Sequence, residues 1–298
     1  MSPRTNMASR VLAEVAPFVA YQPDAPGLAT PIPRLTVWSS TRPTPPAQAT
    51  FCPVFYAVLQ GTKALTVGGN RFELTSGDCA AASFGLPFTS QLVEVSHTAP
   101  YVATCLQLDT ALLIRVMLDM PKREDRWVCS AAGGKLDGAV GEAFIRLVGL
   151  LSSPDDIPVL GAHHEAELYY RLLQSSMGDT LRQLGQGNGR IRQIQTAANW
   201  LCANLDSPFV GADLAASVGM SLTSFHRHFK VVTGYSPIAF QRHVRLLEAR
   251  KMLMSGSINV SGAAYAVGYL STSQFSREYK RMFGTPPLAD LASAHAAV

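Results

Sequence analysis

The chain has 298 residues, of which 47% are hydrophobic and 15% charged; this is a folded composition that excludes wholesale disorder and is long enough for two domains. The formal net charge of +4 is unevenly spread, because residues 1–189 carry 14 basic and 16 acidic side chains (−2) and residues 190–298 carry 11 and 5 (+6). A basic last third fits a nucleic-acid-binding module on a separate domain, and equally a solvated basic surface, so charge alone does not choose between them.

In chain order, Val11–Ala20 is apolar but interrupted by Glu14 and Pro17, a poor signal-peptide core. With no run of eighteen uncharged apolar residues anywhere, a cytoplasmic protein without a membrane partner is expected. From Thr30 to about Leu108, short apolar or alternating runs are punctuated by glycine and proline. Leu35–Trp38, Val54–Leu59, Ala64–Val67, Arg71–Leu74, Gln91–Val95 and Tyr101–Leu108 read as strands, with turns at Gly68-Gly69-Asn70 and Ser76-Gly77-Asp78. Many short strands at close spacing predict a sandwich or barrel. Beyond Asp109 the period becomes helical: Val140–Leu151 and Ala162–Leu184 carry apolar residues three and four apart, separated by Ser153-Pro154-Asp155-Asp156. Gly185-Gln186-Gly187-Asn188-Gly189 then reads as a flexible linker where the charge changes sign. The expected organisation is a β-rich domain with following helices over 1–185, a linker at 186–190, an all-α domain over 191–290 and a tail at 291–298.

The second half predicts helices over Ile191–Leu205, Asp213–Val218 and Leu222–Thr233, and a long one from Pro237 to Met254. Gly219 and Gly234 supply stops, while Ser221 and Ser236 supply N-caps. This segment repeats itself. Phe225-x-Arg227-x-Phe229-Lys230 with Gly234 and Pro237 recurs fifty residues on as Phe275-x-Arg277-x-Tyr279-Lys280 with Gly284 and Pro287. Leu214-Ala215 with Val218-Gly219 recurs forty-nine residues on as Ala263-Ala264 with Val267-Gly268, so the turn between the two helices absorbs one residue. Each unit is helix, glycine turn, helix, the layout in which a bracing helix presents a second one to the DNA major groove.

In the second helix of unit one, Leu222, Phe225 and Phe229 share one face and are expected in the core, leaving Thr223, His226, Arg227 and Lys230 outward. In unit two, Phe275, Tyr279 and Met282 are expected inside, and Thr272, Ser273, Gln274, Arg277, Lys280 and Arg281 face DNA. Arginine suits guanine, glutamine suits adenine, and threonine can touch a thymine methyl. Lys230, Lys280 and Arg281, further along, are expected on phosphate. Arg242, Arg245 and Arg250 on the long helix suit carboxylates or phosphate equally. A rigid spacer would let two recognition helices reach successive major grooves, ~34 Å apart.

Gly234-x-Ser236-Pro237, Arg245-Leu246-x-x-Ala249-x-x-Met252-Leu253, Val267-Gly268-Tyr269 and Ser273-Gln274-Phe275-Ser276-Arg277-Glu278-Tyr279-Lys280 resemble the tandem helix-turn-helix domain of AraC-family transcriptional regulators. Thr30-Pro31-Ile32-Pro33, Gln60-Gly61-x-Lys63, Gly77-Asp78 and Leu168-Tyr169-x-Arg171-Leu172-Leu173 resemble one branch of that family, with a cupin-like sensor domain and dimerisation helices. The resemblance implies an α+β two-domain fold, with a cupin-like β-barrel and following helices ahead of an all-α tandem helix-turn-helix. It also implies a signal-responsive activator or repressor whose partners are double-stranded DNA, a small-molecule effector, a second copy of the chain and, for an activator, RNA polymerase. One departure is Ala263-Ala264, preceded by Gly262: many relatives carry a bulky aliphatic residue before the alanine of the second bracing helix, and glycine and small residues there weaken helix and packing by ~1 kcal/mol.

An enzymatic reading, a non-metal cupin-type enzyme or ligand-binding module with a partner-binding tail, is the competing class. His97 is the only histidine before residue 163, so no His-rich metal centre is expected in the barrel. His163-His164 with Glu167 reads as helix surface, and in His226-x-His228 the two rings point apart on a helix. No nucleophile elbow or phosphate loop occurs, so no catalytic residue, cofactor or metal is expected. Phe51, Phe55, Phe72, Phe84, Phe88 and Cys105 are expected to line the barrel, either as an effector pocket or as a fully packed interior. The five cysteines (Cys52, Cys79, Cys105, Cys129, Cys202), without a Cys-x-x-Cys pair, read as buried free thiols.

Overall fold

A computed structural model of the chain describes residues 7–21, 26–44, 47–50, 53–67, 70–121, 123, 126–185, 190–256 and 258–295. Two compact units are present, residues 1–46 with 50–189 and residues 190–298 with 47–49.

The chain opens with helix α1 (Met7–Tyr21) and continues with β1 (Pro26–Ala29), β2 (Leu35–Ser40), β3 (Ala47–Thr50), β4 (Val54–Gln60) and β5 (Thr62–Val67). Next come β6 (Asn70–Leu74), β7 (Asp78–Ala82), β8 (Pro87–Glu94), β9 (Tyr101–Gln107), α2 (Thr110–Leu118), β10 (Ala131–Lys135), α3 (Gly138–Gly149), α4 (Ile157–Gln174) and α5 (Gly178–Arg182). The strands form a six-stranded sheet in the order β1-β2-β9-β4-β7-β10 and a four-stranded sheet in the order β3-β8-β5-β6. Strand alternation sorts β4 between two environments. Phe55, Ala57 and Leu59 join a core with Val11 and Val15 of α1, Phe144 and Leu147 of α3, and Leu168 and Leu172 of α4. Tyr56, on the other side, reaches Lys63 of the second sheet.

Several elements differ from the sequence reading. The interrupted apolar run near the N-terminus is a helix, with Ala8, Val11 and Val15 buried on one stripe and Pro17 on the exposed side. Strands β7 and β10 leave no alternating signal in the sequence because they are built from Ala80-Ala81-Ala82 and Ala131-Ala132-Gly133-Gly134, which have little β-propensity and are held by pairing, β10 on β7 and β7 on β4. The expected helix Ala162–Leu184 is two helices. The chain turns at Ser175, whose hydroxyl donates to the Leu172 carbonyl (2.7 Å), and a Cβ on Gly178 would lie 2.2 Å from the Leu173 carbonyl oxygen. Gly68, Gly69 and the linker residues 186–189 lie outside the described residues.

Helices and sheet are joined by a polar cluster at Arg34, the one non-glycine residue with positive φ (+65°) among the described residues. Arg34 Nη2 donates to both carboxylate oxygens of Glu165 at 2.9 and 2.7 Å, and the Tyr169 hydroxyl donates to the same carboxylate. Tyr169 in turn accepts from the Asp109 amide (2.8 Å), and the Asp109 carboxylate caps α2 through Ala111 and Leu112.

The second unit consists of α6 (Arg190–Ala203), α7 (Gly211–Ser217), α8 (Leu222–Thr233), α9 (Pro237–Met254), α10 (Val260–Ala266), α11 (Thr272–Phe283) and α12 (Pro287–His295). Its punctuation is local chemistry. Ser221, Ser236, Asn259 and Ser271 each accept a backbone N–H three residues on, and Gly234 and Gly284 end α8 and α11 in the left-handed conformation. Helix α9 serves both halves: Phe240 meets Phe229 of α8 edge-on at 5.4 Å, while Leu246, Ala249 and Leu253 pack with α10 and α11. Ala263 and Ala264 are fully buried in that cluster, so the small residues of α10 are matched by a close approach to α9. Leu222 departs from expectation: it is 45% exposed, because α8 turns Phe225, His228, Phe229 and Val232 inward and leaves its first residue on the rim. Met282 is likewise only partly buried, at the edge of the α9–α11 cluster.

Gly268 (φ +80°) lies hard against neighbouring main chain, since a Cβ there would lie 2.8 Å from backbone atoms of Leu205 and Asp206. Gly284 has a similar φ (+82°) but open space around it. Gly284→Ala is therefore expected to cost about 1–2 kcal/mol of conformational strain. Gly268→Ala should cost clearly more, and a thermal melt in which the two variants lose equal stability would contradict the close approach.

Candidate nucleic-acid interface and sandwich interior

In each repeat the bracing helix ends in a left-handed glycine, Gly219 (φ +69°) or Gly268 (φ +80°), and the next helix starts on a serine cap. These devices fix the N-termini of α8 and α11, the ends that approach base edges in helix-turn-helix proteins. On α8, Thr223, Arg227 and Lys230 are exposed and His226 is half-exposed beside the Phe225 ring. On α11, Ser273, Gln274, Arg277, Lys280 and Arg281 are exposed and Thr272 is half-buried. Thr223 and Ser273, Arg227 and Arg277, and Lys230 and Lys280 therefore occupy equivalent outward positions fifty residues apart. Among the described residues none of Arg227, Lys230, Arg277, Lys280 and Arg281 has an acidic partner within 4.0 Å. Two outward groups are already engaged: Arg227 Nη2 lies 3.2 Å from His228 Nε2, and the Gln274 amide donates to Glu278 at 3.3 Å.

The three arginines of α9 are engaged by groups of their own unit. Arg250 forms a two-pronged pair with Asp290 (2.9 and 3.2 Å) and lies over the Phe283 ring, and Arg242 lies 3.8 Å from Glu278. Arg245 donates to the carbonyls of Ser207 (3.0 Å) and Gly268 (3.3 Å), tying the loop after α6 to the turn of the second repeat. Its burial holds the guanidinium below its ordinary pKa. Burial also pushes His243, packed against Tyr235, down to about 4, so this ring is neutral inside the unit. Tyr279 and Tyr269 are pushed up by burial and by donating to Asp290 and Glu278, which keeps both hydroxyls protonated in the second-repeat core.

The residues expected to line the barrel separate. Phe55 does not belong there: it packs edge-on against Phe144 at 5.3 Å in the layer between sheet and helices, because its parity on β4 is opposite to that of Tyr56. Phe72 is 45% exposed, Phe84 is buried, and Phe88 and Cys105 are half-buried; Phe51 lies outside the described residues. What the interior does hold is a polar chain not foreseen as a site. Lys63 Nζ donates to the Tyr56 hydroxyl (3.2 Å) and sits 4.5 Å from the centre of that ring, and the Tyr56 and Tyr101 hydroxyls are 2.7 Å apart. Among the described residues no carboxylate neutralises Lys63. The signal was present in the period of β5, where Lys63 shares the parity of Leu65 and Val67, both buried. Cys79 is buried in the sheet, and desolvation pushes its thiol up to about 12. Among the described residues no His, Cys, Asp and Glu cluster could hold a metal ion, and no helix is long and apolar enough to cross a membrane.

Residues 31–180 match the family model described as AraC-type transcriptional regulator N-terminus, and residues 214–292 match a helix-turn-helix domain. The chain is 29% identical over 168 residues to the HTH-type transcriptional activator RhaS of Pectobacterium atrosepticum, an overlap of 55% of this chain and 56% of that protein, little more than half its length. Identity to the thermoregulatory protein LcrF of Yersinia pestis is 26% over 243 residues, covering 78% of this chain and 86% of LcrF. Among solved structures, ToxT of Vibrio cholerae with an unsaturated fatty acid bound has the same fold, with a TM-score of 0.52 at 10% identity, covering 86% of this chain and 94% of ToxT. A β-rich unit matched by the N-terminal model and duplicated helix pairs matched by the helix-turn-helix model agree on one conclusion: the chain belongs to the family of AraC-type transcriptional regulators.

Proposed function

We propose that this regulator reads a two-part DNA site, with α8 and α11 entering successive major grooves. Thr223, His226 and Arg227 on one helix and Thr272, Ser273, Gln274 and Arg277 on the other contact bases. Lys230, Lys280 and Arg281 hold phosphate. The observation that carries this reading is the equivalence of Arg227 and Arg277, both outward, both without an acidic partner, on helices whose starts are fixed by the same serine cap and glycine turn. The functional arrangement is an effector and self-association domain over 1–185, a linker at 186–190 and a DNA-reading domain over 191–290. We read the chain as non-catalytic and cytoplasmic, acting as a homodimer, with RNA polymerase as the further partner if it activates. Exposed Val159 and Tyr170 on α4 support a self-association face.

Gel shift of the full chain on sequences selected from random duplexes tests the base readers. Arg227→Ala or Arg277→Ala should cost about 1–3 kcal/mol on the selected site and relax the preference at one base pair. Wild-type affinity in both variants would refute their role. Lys230→Ala should weaken all duplexes alike and reduce the slope of log affinity against log salt by about 1; a changed base preference would contradict the phosphate assignment.

A second observation favours an anionic, largely apolar effector. Lys63, joined to Tyr56 and Tyr101, is a cation without a carboxylate partner on the inner side of β5, beside buried Leu65 and Val67. ToxT, with the same fold, has been solved with an unsaturated fatty acid and with a naphthalenyl butenoic acid. With oleate as the probe and oleyl alcohol as control, Lys63→Met should weaken carboxylate binding about tenfold and leave the alcohol unchanged. Equal affinity of wild type for acid and alcohol would exclude Lys63 as the anchor.

A further inference from the structure

The two repeats are out of step by one residue, and the structure identifies that residue. The Met220 amide donates to the Ala215 carbonyl (2.9 Å) as the Tyr269 amide donates to Ala264 (3.0 Å), forty-nine positions later. The caps Ser221 and Ser271 are fifty apart. The residue gained between these landmarks is Leu270, directly ahead of the cap of α11, and it is 96% exposed.

A hydrophobic residue just before an N-cap ordinarily packs on the fourth helical residue. That place is taken: Phe275 is covered by the Tyr269 ring, edge-on at 5.3 Å. Both neighbours of Leu270 are anchored, Tyr269 by its buried ring and its bond to Glu278, and Ser271 by accepting the Gln274 amide. Leu270 is thereby held outward at the tip of the helix pair. The exposed residues of the helix that follows it, Ser273, Gln274, Arg277, Lys280 and Arg281, are polar or cationic and suited to DNA rather than to an apolar protein surface. The one apolar feature that a major groove offers at that depth is the C5 methyl of thymine.

We propose that Leu270 is a specificity residue of the second repeat, packing on a thymine methyl immediately ahead of the bases read by α11. It is a contact the first repeat lacks, so the two halves of the site differ in chemistry although the helices are duplicates. The inference rests on α11 entering the groove.

The test uses the full chain and duplexes selected from random sequence by the wild type, with each thymine of the preferred site replaced singly by deoxyuridine, which removes only the methyl. At one position deoxyuridine should weaken wild-type binding about fourfold, the worth of one buried methyl. Leu270→Ala should lose a similar factor on the thymine duplex and be indifferent to deoxyuridine there. Leu270→Ala with wild-type affinity and wild-type sensitivity to deoxyuridine would overturn the proposal, as would a loss equal on both duplexes, the outcome expected if Leu270 served folding or a protein contact. Arg277→Ala, run alongside, separates the failures: a loss with Arg277→Ala and none with Leu270→Ala rejects the leucine contact alone. No loss with either rejects groove entry by α11 and the leucine contact with it.

Discussion

The two helix pairs of the DNA-binding unit are duplicates, and duplicates read a composite site only if their separation is fixed. That separation depends on one packed junction. Arg245, projecting from α9, donates to Ser207 in the loop after α6 and to Gly268 in the turn of the second pair. Beside it, Gly268 comes so close to Leu205 and Asp206 that no side chain fits. Gln241, one turn earlier on α9, donates to the same Ser207 carbonyl at 3.3 Å. A helix of 18 residues that merely touched both pairs would let them rock, whereas three donors converging on two carbonyls define one geometry. The cost is a partly buried guanidinium whose Nε has no partner among the described residues, which is tolerated because Arg245's other donors are satisfied.

Much of this half was legible in the sequence because local chemistry writes it. Ser221 and Gly234 bracket α8, and Ser236-Pro237 starts α9, at the residues that cap propensities select. The roles of the α9 arginines were not legible, since a carboxylate forty residues away, Asp290, and two main-chain carbonyls compete for them and only the fold brings these close. Leu222 misled for a related reason. Helical spacing allots it to the apolar stripe, but its position in the first turn of α8 lies beyond the neighbours that could cover it.

In the sheet unit the alternation of apolar residues gave the strands but not which side faced which layer. Phe55 and Tyr56 are both aromatic and adjacent, yet one supports the helices and the other meets Lys63. That assignment depends on where α1 and α3 settle, and α1 carries a proline and an acidic residue that hide its helical stripe. Strands made of alanine and glycine leave no hydrophobic period at all. They exist because β7 pairs with β4 on one side and β10 on the other, and their small side chains admit Met177 of the α4–α5 turn close to Gly134.

The same alanine-rich strand carries Cys79. A sulfur that keeps its proton until the medium is strongly alkaline has almost no thiolate at neutral pH, so oxidants and electrophiles find nothing there to attack while the sheet is closed. Its reactivity toward a thiol label then counts openings of the β-sheet: Cys79 is a built-in clock for how often the N-terminal unit comes apart.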